Sequence, residues 1–121
     1  GFGPAHPAFA AEHHLSSHAS PVQWIKVPPF DLGAEEARSA LEDIRNNSGN
    51  ARVFVFDLRG STGSNAVIAE SIVEFAAAVS GNTQDARFAV VTDGRCDESC
   101  HAVVLRLTGT HGALHVGQAY A

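Results

Sequence analysis

The chain has 121 residues, 45% of them hydrophobic and 17% charged. That is enough for one globular domain with a single core, and it is the wrong balance for a disordered segment. The formal net charge is −5, from 13 acidic and eight basic residues; the basic residues form no cluster, so no electrostatic footprint for nucleic acid is present. No apolar run approaches the roughly 18 residues of a membrane span, and the N-terminus lacks the basic start and apolar stretch of a signal peptide.

Residues 1–21 are rich in Ala, His, Ser and Pro, without clear periodicity. They read as an irregular leader, in which Ala8 to Ser17 either forms a short helix or lies across the domain. His14 and His18 have the i, i+4 spacing of two ligands on a helix, but no third ligand is fixed nearby; a surface leader is the preferred reading. The first residue is Gly1, which suggests a processed chain or a fragment.

Residues 22–121 read as one α/β core. Val22 to Val27 is a strand, ended by Pro28-Pro29, which cannot continue a ladder. Ala34 to Asn46 is an amphipathic helix with Ala37, Leu41 and Ile44 on one stripe, and Asn46-Asn47-Ser48-Gly49-Asn50 stops it. Arg52 to Leu58 is apolar on both faces, as expected of a central strand in a covered sheet. Gly60-Ser61-Thr62-Gly63-Ser64-Asn65 follows, a turn able to expose backbone amides.

Ala66 to Ser80 is a largely buried helix closed by Gly81-Asn82. Arg87 to Thr92 is a second buried strand. A third helix runs from Asp97 to Leu107, Gly109 to Gly112 forms a turn, and Ala113 to Gly117 is a last short strand. The order β-α-β-α-β-α-β implies a mainly parallel sheet with right-handed crossovers.

Sites in such sheets gather beyond the carboxyl ends of the strands. Two loops qualify, Asp57 to Asn65 and Thr92 to Cys100. The first lacks both the Gly-Lys-Ser/Thr ending of a phosphate loop and G-x-G-x-x-G spacing, and the single lysine, Lys26, lies on a strand far from it in sequence. A turn of small residues before a helix suits an oxyanion instead. Ser99 is the candidate nucleophile opposite it. His101, His111 and His115 are possible bases, or simply surface and packing histidines.

Cys96 and Cys100 are the only cysteines. A local disulfide, two packed thiols and half of a metal site are all open, the last disfavoured because no second pair has zinc spacing. No metal or other cofactor is expected.

These segments resemble a known family. Trp24-Ile25-Lys26-Val27-Pro28-Pro29-Phe30 is similar to the strand that opens the catalytic core of the C-terminal processing (tail-specific) serine peptidases. Phe56-Asp57-Leu58-Arg59-Gly60-Ser61-Thr62-Gly63-Ser64 resembles that family's Asp-Leu-Arg-x-Asn-x-Gly-Gly segment. Val90 to Cys100 resembles its strand and nucleophile helix, in a variant with Cys-x-Ser-x-Cys. Leu114-His115-Val116-Gly117-Gln118 resembles the strand before Gly-Glu/Gln-x-Thr. Together they span residues 22–118 in family order.

The resemblance implies a crotonase/ClpP-like core, a serine nucleophile paired with a lysine, a peptide or protein substrate, and a secreted or periplasmic setting. It places oxyanion amides at the turn of Gly60, Gly63 and Ser64. It also carries departures. The nucleophile position of Cys-x-Ser-x-Cys holds Glu98, with Ser99 the next residue and about 100° away on a helix. One glycine of the paired turn is Ser64, and the general-base lysine would fall beyond Ala121.

Three functions follow as expectations: a serine peptidase-like hydrolase with Ser99, Glu98 and His101 at its centre, a non-catalytic domain that holds an extended peptide, and an acyl-CoA enzyme of the crotonase type.

Overall fold

In a computed structural model of the chain, residues 10–13, 22–27, 34–60 and 66–117 are described. The elements are β1 (Ala10–His13), β2 (Val22–Lys26), α1 (Ala34–Asn46), β3 (Val53–Asp57), α2 (Ala66–Asn82), β4 (Arg87–Thr92), α3 (Glu98–His111) and β5 (Leu114–Gly117). They form a five-stranded sheet in the order β1-β2-β3-β4-β5. The four strands from β2 onward are parallel, as the alternation with helices requires, and β1 is antiparallel to β2.

The helix over Ala8–Ser17 does not form at Ala10–His13, which pairs with Trp24 and its neighbours as a strand. A short segment beside an otherwise free edge satisfies its backbone on that edge, and periodicity within the segment carries no sign of this. The rest of the leader, including His6, His14 and His18, lies outside the described residues.

One face of the sheet carries the core. Ile25 on β2, Phe56 on β3 and Val90 on β4 stand in one cross-strand row, and Phe54 pairs with Phe88 in the next. Alternation then points Ile25, Val27, Phe54, Phe56, Leu58, Phe88 and Val90 to the same side, and all belong to a single buried cluster with residues of the three helices. Phe75 of α2 meets Phe54 and Phe56 edge-on, with ring centroids 5.9 and 5.7 Å apart. Fully burying each such side chain is worth about 1.5–3 kcal/mol. α1 packs on α2, and α2 on α3, so the helices lie side by side over this face.

The helix ends have local causes. Glu35 and Glu36 in the first turn of α1 and Arg45 in its last complement the helix dipole. Ser48 Oγ donates to the carbonyl of Ile44 at 2.6 Å, closing the turn. α3 runs one turn past Leu107 to His111, because the amide of Ala113 reaches back to the Leu107 carbonyl at 3.1 Å and completes a Schellman-type ending. The expected turn at Gly109 is therefore helix.

On the second face the central strand β3 is buried at Val55, as expected for a covered strand, while the edge strand β5 is not. Trp24, Val55, Ala89 and Leu114 form one cross-strand row on this face, with Val91 and Val116 in the next. No helix among the described residues lies over them, and Leu114 and Val116 are exposed. β5 ends tightly: a Cβ on Gly117 would stand 2.3 Å from the carbonyl oxygen of Thr92. Only glycine fits there.

Candidate functional site

The two loops singled out above are brought together at the carboxyl ends of β3 and β4. The amide of Leu58 donates to the Val91 carbonyl at 2.7 Å, carrying the ladder one residue beyond β3. Gly60 then turns with φ +77°, a conformation that glycine adopts without cost. Its amide donates to Oδ2 of Asp93 at 3.0 Å, while Oδ1 of Asp93 accepts from the Arg95 amide at 3.0 Å. Asp93 thus clamps both loops with one carboxylate. Gly60 N–H, expected beside an oxyanion, is taken up by this clamp; Gly63 and Ser64 lie outside the described residues.

Asp57 makes a second polar centre on the helix-free side. Its carboxylate is nearly fully buried, yet Arg59 covers it with Nε at 2.9 Å, Nη2 at 2.8 Å and the backbone amide at 3.1 Å. Trp24 Nε1 donates to it at 3.2 Å, and Lys26 Nζ stands 3.7 Å away. Burial pushes this carboxyl up, but the Arg59 side chain and amide, then Trp24 and Lys26, outweigh it and hold the pKa at about 2, below the ordinary 3.8. The same pairing raises Arg59.

Lys26 is therefore not remote from the turn. Its Nζ also donates to the carbonyl of Arg59. Distance along the chain misleads here because β2 and β3 are adjacent parallel strands in which Lys26 pairs with Asp57. Aligning Trp24-Ile25-Lys26 beside Val55-Phe56-Asp57 would have found the cluster. Asp93 gave no comparable signal, being one acidic residue in a polar loop.

On the helix side, a cleft of about 190 Å³ runs between α2 and α3. Ala66, Ala69 and Val73 of α2 face Ala102 and Val103 of α3 across an apolar floor, with Ser99 and Glu98 at the end nearest the strand tips. Arg106 of α3 bridges to Glu70 of α2 at 3.2 Å. Ser99 is buried, and among the described residues its hydroxyl has no hydrogen-bond partner. Glu98, the first residue of α3, is exposed and has no ion-pair partner among them. Cys96 and Cys100 are joined in a disulfide that brackets both residues. This resolves the three cysteine readings and leaves neither thiolate to a metal. The covalent loop fixes the start of α3 against the loop that Asp93 clamps.

The candidate bases are placed elsewhere. His101 is two residues beyond Ser99, about 200° round the helix, and does not line the cleft. His111 sits at the far end of α3, with Nδ1 3.3 Å from Ser80 Oγ and its ring against Phe88. His115 Nε2 is 2.8 Å from Thr92 Oγ1 on β4. Of the catalytic set, Ser99 and Glu98 share the cleft and His101 does not join them.

No protein family matches the chain by its sequence profile, and no curated protein matches it. Solved structures do. The chain superposes on a lipoprotein from Streptococcus agalactiae with a TM-score of 0.67 and 13% identity, over 93% of this chain and 50% of the lipoprotein. It superposes on the photosystem II D1 C-terminal processing protease with a TM-score of 0.66 and 12% identity, over 93% of this chain and 36% of the protease. This chain shares its fold with part of each protein. It spans half of one and about a third of the other.

Proposed function

We propose that this chain is a peptide-binding domain on a peptidase-type scaffold, distantly related to the C-terminal processing proteases, and that it does not cut peptide bonds by itself. The observation that carries this reading is Ser99. Its hydroxyl opens into an apolar cleft, but among the described residues neither a histidine nor a lysine lines that cleft. A serine hydroxyl is a weak nucleophile without a base within hydrogen-bond reach. Glu98 beside it places a negative charge where an acyl transfer would develop another, which opposes that reaction. The cleft itself remains suited to binding, since it offers apolar surface and a hydroxyl able to donate or accept. The fold likeness to a protease supports a peptide as occupant, and the disulfide suits an oxidising compartment.

The test uses a fluorophosphonate and an extended peptide on the same preparation. The reading expects no mass increase after prolonged incubation with the probe, together with saturable binding of the peptide by fluorescence anisotropy. An adduct that disappears in Ser99→Ala would establish the hydrolase reading in its place.

A further inference from the structure

We infer that the α2–α3 cleft selects a basic side chain of the bound peptide, with Glu98 as the acceptor for its cation; this rests on the peptide-binding reading. The floor of the cleft is aliphatic, made of Ala66, Ala69, Val73, Ala102 and Val103. Apolar cavities of about 150 Å³ accommodate a benzene-sized group, so the space here, about 190 Å³, suits one side chain rather than several.

The charges around it are unequal. Glu70 and Arg106 neutralise one another across the cleft. Glu98 at the mouth has no such partner among the described residues, so the cleft carries one uncompensated negative charge. The positive end of α3 favours an acidic residue at this position in any helix. That preference accounts for a carboxylate on the first turn but not for its place at the rim of an apolar channel beside the Ser99 hydroxyl, which opens on that channel. A side chain matching the channel has a long aliphatic stem and a charged head, which is the chemistry of lysine and arginine. The stem lies on the Ala and Val floor, the head reaches Glu98, and Ser99 Oγ accepts a further N–H.

End-blocked heptapeptides of Ala and Ser, differing only at the central position, test this on the full chain. The peptide with central Lys should bind about fivefold tighter than the one with norleucine, its uncharged counterpart, at low salt, and the difference should shrink as salt rises. The peptide with central Glu should bind more weakly than both. Glu98→Gln should equalise Lys and norleucine, and Glu36→Gln, an exposed acid on α1, should not alter the preference. Equal binding of Lys and norleucine by the unmodified chain would overturn the inference and leave peptide binding standing. A lysine preference that survives Glu98→Gln, or falls equally in Glu36→Gln, would also overturn it, tracing the effect to the net charge of −5. Failure of every peptide to bind would remove both readings.

Discussion

Asp57, the last residue of β3, and Ser99, in the first turn of α3 after β4, occupy the same end of the molecule, each buried, and they are treated in opposite ways. Asp57 receives four hydrogen bonds, from Trp24 and from three N–H groups of Arg59, and has Lys26 close by. Ser99 has an open cleft and no partner among the described residues. A polar group with every valence met belongs to the architecture, because removing it strands its partners. A polar group left open in a pocket contributes little to stability and is available to something from outside. The resemblance that drew attention to both segments did not separate these roles.

The largest expected effect is at Asp57. Replacing it with alanine leaves the Arg59 guanidinium and Trp24 Nε1 without their acceptor and removes the charge beside Lys26, at a cost of about 2 kcal/mol in urea unfolding. The same centre should set the acid limb of stability. With its pKa held at about 2 in the fold against 3.8 when free, the Asp57 carboxylate contributes about 2 kcal/mol above pH 5. That contribution fades as pH falls below 3.8 and is gone once pH passes below about 2. Urea midpoints measured from pH 6 to pH 2 should converge for the natural chain and Asp57→Ala. Parallel curves would show that Asp57 is not the architectural centre described here.

Ser99→Ala should give the smallest change, within about 0.5 kcal/mol of the natural chain, since no bond within the protein is lost. A loss above 1 kcal/mol would mean that the hydroxyl is tied into the fold, and the contrast with Asp57 would fail.

Much of the fold was legible in the sequence, and for plain reasons. Ala34–Asn46 formed as its stripe of Ala37, Leu41 and Ile44 required, and β3 is central as its apolar run predicted, with Phe54, Val55 and Phe56 all buried. Ala10–His13 was not legible, because four residues become a strand only through the edge they meet. The last turn of α3 was hidden by Gly109, which a helix tolerates at a cost of about 1 kcal/mol. At the site, pairing of the loops after β3 and β4 was foreseeable from topology. That Lys26 belongs with Asp57, that Gly60 N–H is taken by Asp93, and that His101 faces away from Ser99 depend on register and helical phase. Residue types alone do not contain those facts.

The central claim is that peptide is held in the α2–α3 cleft and not elsewhere. The competing surface is the edge of β5, where Leu114 and Val116 are exposed and an extended chain could add as a further strand. Backbone amide chemical shifts recorded while an extended peptide is titrated separate the two directly. The account predicts saturable shifts concentrated at Ala69, Val73, Ser99 and Ala102, with β5 unmoved. Shifts confined to Leu114 through Gly117, with the cleft silent, would contradict it.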